Sequence, residues 1–269
     1  MSKVIKAIVL DWAGTTVDYG CFAPVDAFCM AFAYFGVTPS MEEIRAPMGL
    51  QKRKHIEKML EGERLSNLWK EQFRRPHTQE DINKIYSRFE PALFEILEKY
   101  TDPLPGVVET VAKIRGMGIG IGSTTGYTRA MMDVLVPSAK AKGYAPDCVV
   151  CPDETGGIGR PHPYMLWRNL EKLGVLSIGD VLKIGDTAAD MEEGENAGCL
   201  SAGVLKGSSM LGLSEDELAE KNGEEARDLF KSAKQNYREA GANFIIEDFR
   251  ALPELIAALN TGKGVDKYV

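Results

Sequence analysis

From about residue 101 onward, short apolar runs that close on small, polar or acidic residues alternate with stretches of helical period. The runs are "IGIGS" (119–123), "CVVC" (148–151), "VLKIGD" (181–186), "SAGVL" (201–205) and "NFIIE" (243–247). Between and after them, helices are predicted near 106–116, 128–142, 162–173, 189–197, 213–240 and 249–259. Together with the opening run "AIVLD" (7–11), this βα rhythm predicts an α/β fold in which a parallel sheet is covered by helices on both faces.

Residues 20–100 break the rhythm. No convincing strand occurs there, but "PVDAFCMAFAYFG" has a helical period and stops at Gly36. Ser40 with Glu43 forms a capping-box pattern, and a long helical segment runs from Thr78 to about Tyr100. The chain therefore divides into a core, 1–19 with 101–269, and an inserted all-helical cap, 20–100. Asp18 to Ala23 mark the exit from the core, and Pro103, Pro105 and Gly106 the return.

Composition narrows the partners. The chain has 269 residues, 44% of them hydrophobic, enough for one sizeable domain plus a smaller insert. A formal net charge of -7 argues against a general nucleic-acid binder and leaves room for a local basic pocket for a small anion. No apolar run approaches the ~20 residues that span a bilayer, and the start "MSKVIKAIVLDW" has too short an apolar run for a signal peptide. The five cysteines, Cys21, Cys29, Cys148, Cys151 and Cys199, are thinly spread and odd in number, so reduced thiols in a cytoplasm are expected. Cys148 and Cys151 form a lone CxxC in a β-branched run, which reads as strand packing rather than a zinc site.

The chemistry is expected at the strand ends, because open parallel sheets bind ligands beyond the carboxyl ends of their strands. Asp11 ends the first run, the turn Ser123–Tyr127 follows the next, and "GDTAAD" supplies Asp186 and Asp190 at a third. A carboxylate attacks phosphorus when a cation offsets its repulsion from the substrate anion. Asp11, Asp186 and Asp190 offer the hard oxygen ligands that Mg2+ prefers. Thr124, Thr125 and Gly126 are candidates to cradle phosphoryl oxygens, and Arg160 in "GIGRPHP" to complete the clamp. Each piece alone is weak, because an Asp at a strand end is more often a helix cap or turn former; their joint order and spacing is the signal.

Asp11 with Gly14-Thr15, the Thr125 turn, Arg160, and Gly185-Asp186-Thr187 with Asp190 resemble the four motifs of the haloacid dehalogenase superfamily. The resemblance implies a Rossmann-like core, an aspartyl-phosphate formed on Asp11, and Mg2+ held by Asp11, the Ala13 carbonyl and Asp186. Phosphatases and phosphomutases of that superfamily carry a second Asp, a general acid/base, where this chain has Ala13.

Ester cleavage expels an alkoxide, which a nearby acid should protonate. Cleavage of a carbon–phosphorus bond would instead expel a carbanion. If that carbon adjoins an aldehyde, a lysine can turn the aldehyde into an iminium ion that accepts the electrons. In "PMGLQKRKHIEKML" (47–60), helical periodicity puts Lys52, His55, Ile56, Met59 and Leu60 on one face, and Lys54, Glu57, Lys58 and Glu61 on the other. Desolvation on the apolar side would free the Lys52 amine, and His55, one turn on, is placed to shuttle protons. The same pattern also fits a snorkelling lysine and a satisfied histidine on an ordinary amphipathic helix.

"DWAGTTVDYGCFAP", "MGLQK", "GSTTGYTR", "GRPHP" and "GDTAAD" together resemble the phosphonatase family of that superfamily across nearly the whole chain. This resemblance implies hydrolysis of the C–P bond of phosphonoacetaldehyde to acetaldehyde and phosphate, in 2-aminoethylphosphonate degradation. Lys52 then carries the Schiff base, Asp11 is the nucleophile and Arg160 clamps the phosphoryl group. Met48 and Cys21, in the matching stretches, are candidates to tune the Schiff base or bind substrate, with packing as the other reading. Tyr127 is expected to approach the phosphoryl group or the cap, or else to be a helix-start aromatic.

A homodimer is implied by the family. The aromatic residues Phe28, Phe32, Tyr34 and Phe35 fit either its surface or the cap core. Two further functions stay open at this point: a phosphatase acting on phosphate esters, and a non-catalytic sensor of a phosphorylated ligand.

Overall fold

The computed structural model describes residues 4–269, so residues 1–3 of the expected core segment lie outside the described residues. The chain begins with β1 (Ala7–Leu10), then runs through α1 (Phe22–Ala33), α2 (Met41–Arg45), α3 (Lys52–Glu61), α4 (Glu63–Phe73) and α5 (Gln79–Ile96). It continues with α6 (Val107–Gly116), β2 (Gly120–Thr124), α7 (Arg129–Ala141), β3 (Cys148–Val150), α8 (Tyr164–Leu173), β4 (Val181–Gly185), α9 (Ala188–Ala197) and β5 (Leu200–Val204). The last elements are α10 (Glu215–Glu220), α11 (Gly223–Glu239), β6 (Phe244–Ile246) and α12 (Leu252–Thr261).

All strand pairs are parallel, in the order β3-β2-β1-β4-β5-β6. This Rossmann-like sheet explains the unbroken apolar character of β1, since both faces of a parallel sheet are covered. Ala7 and Val9 pack with Leu166, Ala197 and Cys199 from the α8 and α9 side. Ile8 and Leu10 join the larger core that includes Ile114 and Leu255 of α6 and α12. In register, Leu10 lies beside Ser123 of β2 and Ile184 of β4. β1 ends there, and β2 and β4 end one residue later at Thr124 and Gly185, so Asp11, Thr125 and Asp186 are each the first residue beyond their strand at the same edge of the sheet.

The five helices α1 to α5, which follow β1 and precede α6, build the inserted cap. Its capping boxes form at Ser40 with Glu43 and at Thr78 with Asp81, where side chain and backbone satisfy each other's free donors. Phe28 and Phe32 are fully buried and Phe28 stacks on Phe89, so these aromatics fill the cap core. Phe35 packs against Trp69, while Tyr34 stays 62% exposed.

The expected helix 213–240 is two helices. Lys221 turns the chain, and Asn222 starts α11 with its own capping box to Glu225. α11 buries Ala233 and Tyr237. The stretch 148–151 behaves as strand: Val150 and Cys151 are buried, and the Cys148 thiol donates to Asn169 Oδ1.

Candidate active site

The strand ends and the cap together enclose a cavity of about 20 Å3. Asp11, Ala13, Thr125, Gly126, Tyr127, Arg160 and Thr187 line it from the core. Cys21, Pro24, Met48, Gly49 and Lys52 line it from the first linker and the cap. Cap and core touch closely here: a Cβ on Gly126 would lie 2.6 Å from the Leu50 carbonyl oxygen, so only glycine lets the Met48–Leu50 loop seat on the Thr125 turn.

The floor is an ion cluster. Arg160, with no exposed side-chain surface, places Nη2 2.8 Å from Asp11 Oδ1 and Nε 3.1 Å from Glu193 Oε2. Its Nη1 lies 3.1 Å from Asp190 Oδ1, a charge contact without hydrogen-bond alignment. Lys183, inside β4, reaches Asp190 Oδ1 at 2.7 Å and Glu193 Oε2 at 3.3 Å. Burial alone would raise the Asp11 carboxyl, but the Arg160 guanidinium and Lys183 overcome it and hold it below the usual range. Asp186 moves the other way: burial, then the charges of Asp11 and Asp190, push it well above the ordinary carboxylate value.

Oxygens of Asp11, Asp186 and Asp190 lie within 4.8 Å of one another, all buried. Four buried carboxylates (Asp11, Asp186, Asp190, Glu193) face two buried cations (Arg160, Lys183), and uncompensated charge in such a setting is costly. The donor set and this imbalance fit a hard divalent cation. Asp186 is oriented by Thr15 Oγ1, which donates to Oδ1 at 3.0 Å, and by the Ser209 N–H, which donates to Oδ2 at 2.9 Å. Tyr237 Oη shares its one proton between the Val204 carbonyl at 2.7 Å and the Asp186 carbonyl at 2.9 Å.

The roof differs. α3 buries Lys52, His55, Ile56, Met59 and Leu60 on one face. Lys52 Nζ sits 4.9 Å from the Tyr127 ring centroid and 5.9 Å from that of Phe28. Burial lowers its pKa, and the Arg160 charge adds to this against the opposing Cys21 and Asp11. His55 Nε2 is 2.8 Å from the Ile44 carbonyl, which can only accept, so Nε2 donates and Nδ1 is a bare acceptor. Burial and then Lys52 keep this imidazole well below its usual pKa, hence neutral. His55 packs at a tilt against Phe28, ring centroids 4.2 Å apart, and stands behind the cavity wall.

One expected phosphoryl cradle residue lies elsewhere. The Thr124 hydroxyl is under the cavity, donating to Glu193 Oε2 and accepting from Arg160 and Lys183, because a strand residue next to Thr125 points to the opposite side. Sequence reading also passed over Lys183, Glu193, Ser209 and Tyr237, and it placed Thr15 in the first motif without a role. Two had a visible signal: Lys183 is the charged residue in an otherwise apolar strand, and Glu193 lies one helical turn after Asp190.

A parallel sheet, an acid triad at its strand ends and a helical cap carrying a buried amine define a capped α/β enzyme. The family model of haloacid dehalogenase-like hydrolases matches residues 5–198. The chain is 48% identical over 94% of its length to the bifunctional phosphonoacetaldehyde hydrolase/aminoethylphosphonate transaminase of Clostridioides difficile, and spans 40% of that longer protein. It is 46% identical to the phosphonoacetaldehyde hydrolase of Lysinibacillus sphaericus, covering 95% of each chain. The crystal structure of a phosphonoacetaldehyde hydrolase-like protein from Oleispira antarctica superposes with a TM-score of 0.92 at 32% identity, over 97% of this chain and 94% of that one. The chain belongs to the haloacid dehalogenase-like hydrolases and, within them, to the phosphonoacetaldehyde hydrolase family. Among the described residues, no helix is long and apolar enough to cross a membrane.

Proposed function

We propose that this chain hydrolyses phosphonoacetaldehyde to acetaldehyde and phosphate, with Lys52 and Asp11 acting from opposite walls of one cavity. The observation that carries this reading is the buried Lys52 amine, which forms no salt bridge among the described residues, lining one cavity with the Asp11 carboxylate. The Lys52 amine adds to the aldehyde and water leaves, giving an iminium. Asp11 attacks phosphorus, and the C–P bonding electrons pass into the iminium to form an enamine. Water then cleaves the aspartyl-phosphate; protonation of the enamine carbon and hydrolysis of the imine release acetaldehyde and free Lys52. Because the iminium accepts the electrons, no leaving-group acid is needed at Ala13.

Arg160 holds the phosphoryl oxygens beside Asp11, with Thr125, Gly126 and Tyr127 completing the wall. The Ala13 carbonyl, Asp11 and Asp186 are the groups that would hold Mg2+. When bound, Mg2+ supplies positive charge that offsets the repulsion between carboxylate and phosphonate. Asp190, already shared with Lys183 and Arg160, orients those cations and closes the metal side from behind. Met48 and Cys21 shape the pocket around the imine, and the neutral His55 passes protons to and from the imine through its bare Nδ1.

A cavity of about 20 Å3 has room for roughly one water, so the substrate enters only when residues 20–100 separate from the core. Closure then excludes water during C–P cleavage. Degradation of 2-aminoethylphosphonate in the cytoplasm, by a homodimer, completes this reading; the transaminase joined to the hydrolase in the Clostridioides difficile relative supports the pathway.

The test is to incubate the protein with phosphonoacetaldehyde, add borohydride, and locate the reduced adduct by peptide mass mapping. A two-carbon adduct on Lys52 is expected. Its absence, with phosphate released from ester substrates instead, would overturn the reading in favour of a phosphatase.

A further inference from the structure

One core loop, residues 205–213, touches both linkers and the acid triad. The Gly207 carbonyl accepts the N–H of Gly20 in the first linker at 2.7 Å. Leu104 of the second linker packs so close to Gly207 that a Cβ there would lie 2.2 Å from Leu104 Cδ2. The Ser209 N–H holds Asp186 Oδ2.

Into this loop the cap sends the side chain of Arg45, the last residue of α2. Its Nη1 donates to the Gly20 carbonyl at 2.8 Å and, longer, to the Ser209 carbonyl at 3.4 Å; Nη2 donates to the Gly212 carbonyl at 3.3 Å. The guanidinium carbon lies 5.2 Å from the Phe22 ring centroid. Gly212, at φ +62, leaves the space: a Cβ there would be 2.7 Å from Arg45 Nε. Among the described residues Arg45 forms no salt bridge; its donors are spent on backbone carbonyls of a linker and a core loop. A planar fork suits that task, and a lysine ammonium does not.

We propose that Arg45 is a positioning residue, a latch that holds the cap closed on the core. The Ser209 and Gly212 carbonyls are within reach of the guanidinium only while the cap is seated. The latch touches neither substrate nor reacting atoms. It goes beyond the proposed reaction and does not rest on the identity of the substrate, requiring only that Lys52 and Asp11 lie on opposite sides of the closure.

The full chain reports on this through its own lysines. Lys52 is covered by closure, whereas Lys183 is covered by the core itself. In Arg45→Ala, without substrate, an amine-acylating reagent followed by peptide mass mapping should modify Lys52 about tenfold faster than in the parent, while Lys183 stays protected. Arg45→Lys should fall between the two. With phosphonoacetaldehyde, KM should rise by about tenfold while kcat changes less than about threefold, since closure is weakened and the chemistry is intact. Unchanged Lys52 labelling in a folded Arg45→Ala would overturn the latch, as would equal exposure of Lys52 and Lys183, which marks general unfolding. If Arg45→Ala does not fold, Arg45→Lys decides by the same two readings. Should phosphonoacetaldehyde prove not to be a substrate, the labelling arm still decides the latch.

Discussion

Two buried lysines flank the candidate site, and their surroundings differ in kind. Lys183, on the core side, has Asp190, Glu193 and the Thr124 hydroxyl within 3.3 Å of Nζ. Lys52, on the cap side, faces the rings of Tyr127 and Phe28 and has its pKa lowered by burial. A buried cation among carboxylates is compensated and structural; a buried amine among rings is pushed toward its neutral, nucleophilic form. The floor of the site thus handles charge and the roof handles carbon, and Ala13 belongs to the floor without needing to be an acid.

The most severe break is Asp11→Asn. Loss of the nucleophile should lower phosphate release by about 10^4 or more, yet borohydride should still trap the aldehyde on Lys52, because the roof works without the floor. Lys52→Arg reverses the pattern. No adduct forms, release from phosphonoacetaldehyde falls by about 10^3 or more, and inorganic phosphate still binds, as calorimetry would register.

Next comes Glu193→Gln, which removes the anion shared by Arg160 and Lys183. Breaking such a buried pairing costs about 3–5 kcal/mol, read as a lower denaturation midpoint, with a smaller loss of turnover than in Asp11→Asn. An unchanged midpoint would mean that the two cations are compensated without Glu193 and that the floor is less tightly coupled than its distances suggest.

The architecture was legible because its physics is local. Runs such as "VLKIGD" and "AIVLD" announce buried parallel strands, and the face of α3 that buries Lys52 follows from a 3.6-residue period. The strand-end carboxylates were readable for the same reason, since chain order and parallel topology bring them to one edge. Long-range partnerships were not legible. Nothing near Tyr237 in sequence says that its hydroxyl caps the Asp186 carbonyl 51 residues away. Nor does Thr124, adjacent to Thr125, reveal which of the two faces the cavity until the pleat of β2 is set. The break at Asn222 was missed because a continuous charged stretch hides a second capping box.

The smallest expected effect sharpens the contrast between the lysines most directly. Cys21 lines the cavity with Lys52, and Cys21→Asp would give the roof amine the kind of partner that Lys183 already has. A carboxylate close to an ammonium favours the charged form, raising its pKa by about one or more. Only the neutral amine adds to an aldehyde, so activity is lost as pH falls through the Lys52 pKa, and raising that pKa moves the acid limb of kcat/KM upward. Near neutral pH, a rise of about one in the pKa should slow the reaction about tenfold, and at alkaline pH the rate should recover toward the parent value. Recovery separates a tuned amine from a damaged fold, which would stay slow at every pH. If the acid limb does not move, Lys52 is not the group whose deprotonation limits turnover, and the roof's lack of a charge partner would have no part in its chemistry.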